Sequence, residues 1–420
     1  MESTSRWAFR FLLFYIAILC VQPQNRFTFL HPLQIADISI ALTVLLHFVS
    51  HQETGRPLIR MGPGTITAIL LMFFSFVSLH MGELMSSSAW NPDIDIIFKN
   101  CTVLILIEAM AFNVRRVWAV QATIFLSVLW WLKGGLRLAA SGATYSGDRL
   151  MGPAVSLIEN PNAFAYMLAM VTPLYLYFYQ QSKNKWIKLG CLGGAIVCMY
   201  LILETGSRTG LVAIGSVAIF LLPKYGAKHK VALSVAGVAV FFLSTLVGSS
   251  NIDRFKSIPT QIKEFLSGGA EEKDVSEMNQ DEQSAWERKM KNIHTWKLIM
   301  DYPLFGVGIH ADDDKVREKY NFASGQVHNE ILYAGKQMGM IGMGIYLSLV
   351  ITLFSAGRYA QKRMKNIWPA ASDLGWTLKM QSIVLITGGF FSPVSWNAMT
   401  MILVGSASAL YMSIKENSYY

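Results

Sequence analysis

Four polar motifs stand out in an otherwise strongly hydrophobic chain, and they are centred on Arg149, Arg208, Arg288 and His328. A guanidinium group binds phosphate or pyrophosphate through charge-assisted, bidentate hydrogen bonds. An imidazole can take the proton of a hydroxyl group as that group attacks. All four motifs fall in segments predicted to lie on one side of a membrane, away from the loops rich in Lys and Arg, so they are the candidate functional residues.

Arg208 lies in the sequence Glu204-Thr-Gly-Ser-Arg-Thr-Gly, directly ahead of a short apolar segment. Residues Leu211 to Leu222 provide only about 18 Å of helix, which is less than the thickness of the hydrocarbon layer. We therefore expect the glycine-flanked turn near headgroup depth, where its backbone N–H groups and Arg208 suit a phosphate or pyrophosphate. The alternative is an arginine that reaches ordinary lipid headgroups.

His328 opens the sequence Val-His-Asn-Glu-Ile-Leu, and the hydrophobic stretch that follows to Phe354 is too long for one straight span. We expect its first two turns to form a surface or re-entrant helix. The positive end of a helix dipole disfavours imidazolium, so the position predicts a mostly neutral histidine at pH 7 that can act as a general base. A purely structural histidine is the alternative.

Arg288 lies near the start of a predicted amphipathic helix that runs from Ser284 to Asp301. Ser-Ala-Trp-Glu at its start matches a capping box, and a Tyr-Pro pair follows its end. At helical spacing Arg288 shares a polar face with Lys291 and Thr295.

Arg149 lies in a second external loop, ahead of the sequence Glu-Asn-Pro-Asn at 159–162, where a solvated arginine is the plain alternative. His294, His310 and the three carboxylates at 312–314 could be assembled into a metal site. A run of three carboxylates is more often a solvated turn, however, and no ligand spacing here is specific. We therefore predict neither a metal nor a cofactor.

The elements that position these residues are predicted to be membrane helices. Of the 420 residues, 53% are hydrophobic and only 15% are charged. Apolar windows long enough for a bilayer recur along the chain, which predicts an all-α integral membrane protein with about 12 transmembrane helices. The predicted spans are approximately 7–21, 33–49, 65–81, 97–112, 117–132, 162–179, 186–203, 209–222, 231–247, 337–354, 377–391 and 396–414.

Basic residues orient the chain, because Lys and Arg in short loops resist translocation. They cluster in the N-terminal tail and in every second loop, so we predict that both termini are cytoplasmic and that the four motifs are external. This asymmetry accounts for much of the net charge of +9. No basic tract with interleaved aromatic residues indicates nucleic acid binding.

One polytopic membrane domain, 1–420, is enough to describe the chain. It carries an external loop at 133–161 and a large external loop at 248–336 between spans nine and ten, with helices near 252–266 and 284–301. The four cysteines lie inside predicted spans, where a thiol packs as a small apolar group.

Three motifs resemble the O-antigen ligase and polymerase superfamily of Gram-negative bacteria. They are Ser207-Arg-Thr-Gly, the stretch from Trp296 through Pro-Leu-Phe-Gly-Val-Gly308, and His328-Asn-Glu-Ile-Leu followed by Gly-Met-Ile-Gly at 339–342. The resemblance implies a GT-C-like glycosyltransferase. It implies that Arg208 and Arg288 are catalytic and bind the substrate diphosphate, that His328 is the catalytic base, and that Arg149 also binds the diphosphate.

The resemblance also implies an activity without metal or nucleotide in the bacterial inner membrane, at a periplasmic site. Such a ligase transfers glycan from undecaprenyl diphosphate to a sugar hydroxyl of lipid A-core oligosaccharide, during lipopolysaccharide biosynthesis. Direct attack predicts inversion at the anomeric carbon. No pair of carboxylates is needed, because diphosphate is already a good leaving group. The expected partners are the donor, the acceptor and membrane lipids.

Two alternatives stay open. An O-antigen polymerase extends glycan on its own carrier, and the single Arg-x-Gly motif at Arg208 fits one, whereas the single large external loop favours a ligase. A lipid-linked glycan transporter calls for charged residues along its spans, but here they gather at one face. The resemblance gives no role to Glu204 or to the turn from His310 to Asp314.

Overall fold

The computed structural model describes residues 2–82, 84, 92–145, 149–156, 158–225, 280–309, 311–320, 323, 325, 327–391 and 396–418. These residues are nearly all helical, and the only β-type contact among them is an isolated bridge between Thr144 and Leu150. The predicted ninth span at 231–247 and the predicted surface helix at 252–266 lie outside the described residues.

The α-helices of the described residues are numbered in chain order. They are α1 Glu2–Val21, α2 Ile35–Thr54, α3 Pro63–Met81, α4 Pro92–Met110, α5 Val114–Ala140, α6 Pro161–Gln181, α7 Lys185–Glu204, α8 Arg208–Tyr225, α9 Gln280–Asp301, α10 Asp313–Tyr320, α11 Glu330–Arg363, α12 Pro369–Gly389 and α13 Ala398–Lys415. Each predicted span other than 231–247 coincides with one of these helices. Seven helices within the described part are long and apolar enough to cross a membrane. The protein is therefore a multi-pass membrane protein, and the total of about 12 spans remains a prediction.

Helix α6 packs against α7, α8 and α12. From Phe164 to Val171 every side chain is at most 1% exposed. A helix enclosed by other helices does not need the uniform hydropathy of one that faces lipid, which explains how Asn162 and Thr172 fit into this element. The N-terminal turns of α6, which we call the α6 platform, are consequently held in place, and neighbouring loops pack on them.

The loops predicted for the cytoplasmic side contact one another at one end of the molecule. Arg116 donates to the hydroxyl of Ser5 at 3.2 Å, and Arg60 forms an ion pair with Glu416 at 2.6 Å. The guanidinium groups of Arg56 and Arg116 both lie against the ring of Phe112. Four segments that are distant in sequence therefore meet at the end that is opposite the candidate site.

Helix α11 contains a break, as expected for a segment too long for one span. Met338 and Gly339 have non-helical backbone angles, with a φ of +62° at Gly339. The carbonyl groups freed by the break are satisfied from outside the helix: Lys336 accepts from the N–H of Val307 at 2.9 Å, and Gln337 accepts from the hydroxyl of Ser78 at 2.6 Å. Such replacement is necessary wherever backbone leaves regular helix in a buried setting.

The predicted start of α9 at Ser284 is wrong, whereas its predicted end at Asp301 is confirmed. The chain is already helical from Gln280, the first described residue of this part. The side chain of Glu287 accepts a hydrogen bond from Gln283 at 3.2 Å, an i,i+4 contact along the helix, so it does not serve as the second half of a capping box. At least two turns of helix therefore precede Arg288.

Candidate functional site

Arg149 is held by hydrogen bonds rather than left in solvent. Its Nε donates to the carbonyl of Thr205 at 3.0 Å, and its Nη2 donates to the side-chain oxygen of Asn162 at 2.7 Å. Asn162 is in the first turn of α6, whose N-terminus is capped by the side chain of Asn160. The solvated-arginine alternative is thus wrong, and Arg149 joins the loop at 149–156 to two other elements.

Arg208 is the first residue of α8 and follows a tight turn. Gly206 has a φ of +58°, a region that a residue without a Cβ enters readily, and the Ser207 hydroxyl accepts from the N–H of Gly210 at 3.3 Å to cap the helix. Helix α8 therefore begins at Arg208, the candidate residue of this motif.

The Arg149 loop and the Arg208 turn lie against each other and against α6. Besides the Arg149 bond, the N–H of Leu150 donates to the carbonyl of Glu204 at 3.0 Å. A Cβ placed on Gly210 would lie 2.5 Å from the Cβ of Ala165, so only glycine permits this close approach of α8 to α6. Arg149 and Arg208 are consequently neighbours at the N-terminal end of α6.

His328 precedes α11 by two residues and is partly buried. Asn329 is the N-cap of that helix, and its side chain accepts from the N–H groups of Ile331 and Leu332 at 3.1 and 3.2 Å. Burial, and then the charges of Arg288 and Lys291, lower the pKa of His328 from its ordinary 6.5 to about 4. The imidazole is therefore neutral at pH 7, as the sequence predicted, but chiefly because of burial rather than the helix dipole.

Arg288 and Lys291 lie one turn apart on the same face of α9. Both are partly buried, and both are near enough to His328 for their charges to lower its pKa. Burial also lowers the pKa of Lys291, although the carboxylates of Asp313 and Glu287 oppose that change. The structure thus brings His328 together with a cationic face that includes one residue, Lys291, to which the sequence gave no role.

Arg149 and the Arg208 turn border the first turns of α6, whereas the beginning of α11 lies against the end of α12. Glu330 follows His328 by two residues, is fully buried, and packs against Gly389 at the end of α12. The ring of Tyr166, one turn along α6 from Asn162, packs against the adjacent Gly388. The beginning of α11 is therefore connected to the α6 platform through the end of α12.

The glycines of the motif around residues 303–308 serve backbone packing. The N–H of Met340 donates to the carbonyl of Pro303 at 2.7 Å, and a Cβ on Gly306 would lie 2.7 Å from the nitrogen of Gly339. A Cβ on Gly339 would in turn lie 2.6 Å from the carbonyl carbon of Leu304. The motif at 303–308 and the motif at 339–342 therefore pack against each other, and this contact holds the backbone where α11 is broken.

The acidic turn and His294 have structural partners. Asp312 caps α10, since its carboxylate accepts from the N–H of Asp314 at 3.1 Å. A ring nitrogen of His294 forms a hydrogen bond of 2.7 Å with the carbonyl of Tyr320. Across the described part of the chain no group of three or more His, Cys, Asp or Glu side chains is arranged to hold a metal ion. His310 lies outside that part.

The arrangement can carry out a proton transfer next to an anion. A neutral imidazole can accept the proton of a hydroxyl group, and the arginine and lysine side chains can stabilise negative charge on a departing phosphate. The sequence reasoning missed Lys336, whose amino group is buried in the early part of α11. An ionisable residue within an apolar helix is itself a signal of function or of a specific partner, and would have identified it.

Comparison with known proteins finds a similarity over part of the chain. Residues 193–347 match the family model described as O-antigen ligase, so the resemblance seen in the sequence is confirmed for that part of the chain. The matched region includes Arg208, Arg288 and His328. It also includes the break in α11.

A curated relative extends the match. The chain is similar to the teichuronic acid biosynthesis protein TuaE of Bacillus subtilis (strain 168), with 26% identity over 245 residues. That alignment covers 54% of this chain and 46% of the relative, so it spans less than half of the relative's length. The family model is thus named for a ligase of O-antigen, and the relative is named for biosynthesis of teichuronic acid.

Proposed function

We propose that the protein is an O-antigen ligase. It transfers glycan from an undecaprenyl diphosphate carrier to a sugar hydroxyl of lipid A-core oligosaccharide, with no metal and no nucleotide. The observation that carries the proposal is the position of His328, a partly buried imidazole with a pKa of about 4, beside the cationic face of Arg288 and Lys291.

The reaction is a direct displacement in this proposal. The acceptor hydroxyl oxygen attacks the anomeric carbon of the donor glycan, and the bond from that carbon to the diphosphate oxygen breaks with its electron pair. His328 takes the hydroxyl proton, and undecaprenyl diphosphate leaves as an anion. Attack opposite to the leaving group inverts the anomeric carbon. A neutral base suits this step, because an imidazolium would have no site for the proton.

The arginines stabilise the departing diphosphate. Arg288, with Lys291 beside it, acts from α9, whereas Arg208 and Arg149 act from the N-terminal end of α6. That end adds the positive pole of a helix dipole, which favours bound anions. Arg149 is also fixed by Thr205 and Asn162, so its charge is pre-organised rather than mobile.

The proposed setting is the bacterial inner membrane, with both termini in the cytoplasm and the site on the periplasmic face. The distribution of basic residues supports this orientation. The contacts among Ser5, Arg60, Phe112, Arg116 and Glu416 gather the proposed cytoplasmic segments at one end. A donor on a polyprenyl chain would reach the site from the membrane.

A polymerase is the second candidate, and a specific observation favours it. The relative in Bacillus subtilis is named for biosynthesis of teichuronic acid, not for transfer to lipid A-core. A polymerase would use the same donor and the same base. It would differ in its acceptor, which would be a second carrier-linked glycan.

The test is transfer by the purified protein in detergent or nanodiscs, with a chelator and without nucleotide. Undecaprenyl-diphosphate-linked glycan is the donor, and lipid A-core is the acceptor. We expect His328→Ala and Arg288→Ala to lose transfer. Matched controls are His31→Ala, an exposed histidine, and Arg317→Ala, whose side chain is 62% exposed on α10.

The product distinguishes the candidates. Glycan on lipid A-core, lost in both site variants and kept in both controls, supports the ligase. Glycan that lengthens on its own carrier instead makes the protein a polymerase. If no transfer occurs but lipid-linked glycan crosses the bilayer of proteoliposomes, the protein is a transporter. Equal transfer by His328→Ala and wild type would remove the proposed base.

A further inference from the structure

A buried lysine in the first turns of α11 has no part in the proposed reaction. The side chain of Lys336 is 6% exposed, in a helix that is otherwise largely apolar. Its Nζ donates to the carbonyl of Gly325 at 2.9 Å and lies 3.4 Å from the carboxylate of Asp313. A buried ammonium group is costly unless it is paired in this way.

Asp313 completes the contact from α10. Its carboxylate accepts from the N–H of Gly325 at 2.7 Å. Burial raises the pKa of this carboxyl group, but the Gly325 hydrogen bond and the charge of Lys336 outweigh burial and hold the pKa below its usual range. Both backbone polar groups of Gly325 are thus held by charged side chains from two different helices. We name Asp313, Gly325 and Lys336 the Gly325 clasp.

Within the clasp, Gly325 lies three residues before His328 in the sequence. Gly325 has a φ of +69°, which a residue with a Cβ adopts only with strain. Val327 is fully buried, and Asn329 is fixed as the N-cap of α11. His328 therefore lies in a short connection that is held firmly on both sides.

The clasp also adjoins the cationic face of α9. A Cβ on Gly325 would lie 3.9 Å from the Nζ of Lys291, which is one turn from Arg288. The carboxylate that holds the Gly325 N–H also interacts electrostatically with Lys291. The loop that leads to His328 is consequently fixed next to the cations that act on that histidine.

We propose that Asp313 and Lys336 are positioning residues, which hold the Gly325 loop so that His328 faces the cationic side of α9. The effect on catalysis rests on the proposed function, whereas the effect on the position of His328 does not. The Asp313 side chain is 54% exposed, so solvent screens its side of the ion pair, and without it the Lys336 ammonium group keeps the Gly325 carbonyl as a hydrogen-bond partner. Loss of the ion pair should alter the site more than the fold.

The experiment uses the full-length protein and three single variants. Asp313→Ala removes the contacts of the carboxylate with Gly325 and Lys336, and Lys336→Met removes the buried charge while keeping an unbranched side chain that is one heavy atom shorter. Asp314→Ala is the matched control. Asp314 is the next residue, its side chain is 91% exposed, and it forms an ion pair with Arg317 at the surface. The double variant Asp313→Asn with Lys336→Met removes both charges together.

Two readouts are measured for each variant. The first is the rate at which diethyl pyrocarbonate modifies His328 at pH 7, followed by mass spectrometry of the peptide that contains it. This rate reports the accessibility of a neutral imidazole and does not require activity. The second is glycan transfer, with kcat separated from KM. Size-exclusion profiles and thermal unfolding identify any variant that fails to fold.

We expect modification of His328 to be several-fold faster in Asp313→Ala and Lys336→Met, and unchanged in Asp314→Ala. We expect kcat to fall by about 10- to 100-fold with a smaller change in KM, because a displacement of the base near 1 Å has an effect of this size. The double variant should fold at least as well as Lys336→Met, since it leaves no unpaired charge.

Equal modification rates in wild type and Asp313→Ala would overturn the proposal, whatever the activity. So would a folded Lys336→Met protein in which the modification rate of His328 is unchanged. If His328→Ala keeps full transfer while the clasp variants still expose His328, the clasp stands and the assignment of the base in the proposed function fails. The two failures are therefore distinguishable.

Discussion

The pH dependence of transfer follows from the surroundings of His328. A base acts only when it is unprotonated, so kcat/KM should rise with pH through the pKa of His328 and then level off. That pKa is about 4, against an ordinary value of 6.5, because of burial first and of Arg288 and Lys291 next. At pH 5 about nine-tenths of the imidazole is then neutral, compared with about 3% for an unperturbed histidine. The difference in active protein is roughly 30-fold.

The perturbation that tests this cause is Lys291→Met, which removes one of the two charges but keeps an unbranched side chain that is one heavy atom shorter. The acidic limb of kcat/KM should move toward higher pH. It should move by less than the interval between 4 and 6.5, because burial and Arg288 remain. Lys315→Met is the control, since Lys315 on α10 has a side chain that is 55% exposed. Its limb should coincide with that of the wild type.

The assay is initial-rate transfer from pH 4 to pH 8 at constant ionic strength, with the recovery of activity after return to pH 7 checked at each point. An NMR titration of the histidines, with His328 identified by loss of its signal in His328→Asn, gives the pKa directly. A wild-type limb between pH 6 and 7 would refute the reasoning. A limb near pH 4 that does not respond to Lys291→Met would leave burial as the cause and exclude the charge of Lys291.

Three further outcomes are expected from single substitutions. Glu108→Ala should destabilise the protein by about 1–3 kcal/mol in thermal unfolding, because its buried carboxylate accepts the N–H of Thr65 at 3.0 Å at the start of α3. An equal loss in the control Asp95→Ala, whose partly exposed side chain pairs with Lys99, would contradict this. Gly339→Ala should reduce the folded yield, since it combines a φ of +62° with backbone contacts, whereas Gly190→Ala, which has open space around it, should not. Arg149→Lys should lower transfer with little change in stability, because lysine keeps the charge but cannot donate to both Thr205 and Asn162 in the same way. Full activity in that variant would show that the charge alone suffices.

The sequence predicted most of the helices, because their signal is local. A run of apolar residues bounded by Asn or Pro determines where α6 begins, and the start of α8 at Arg208 follows from the glycine-flanked turn. The start of α9 could not be predicted in the same way. A capping box competes there with a helix-compatible Gln-Asp-Glu-Gln stretch, and the choice between them is worth about 1 kcal/mol or less.

The candidate site was only partly predictable, because its partners are far apart in the chain. The residue types of Arg149, Arg208, Arg288 and His328 indicated anion binding and proton transfer, but no spacing indicates that Arg149 would bind Asn162 and the carbonyl of Thr205. The pKa of His328 was expected to be low because of a helix dipole. Its main cause, burial, depends on side chains from other elements, and only their packing reveals it.

The motifs that carry the resemblance divide by physical role. Arg208 and His328 contribute side chains that can act on a substrate. Gly306 and Gly339 contribute the absence of a side chain, since each lies where a Cβ would meet backbone of the other segment. If the break in α11 serves to aim the start of that helix, then Gly339→Ala in a variant that still folds should raise the rate of His328 modification, just as loss of the Gly325 clasp should. A folded Gly339→Ala protein with an unchanged modification rate would show that the break only shapes the membrane-embedded part of α11.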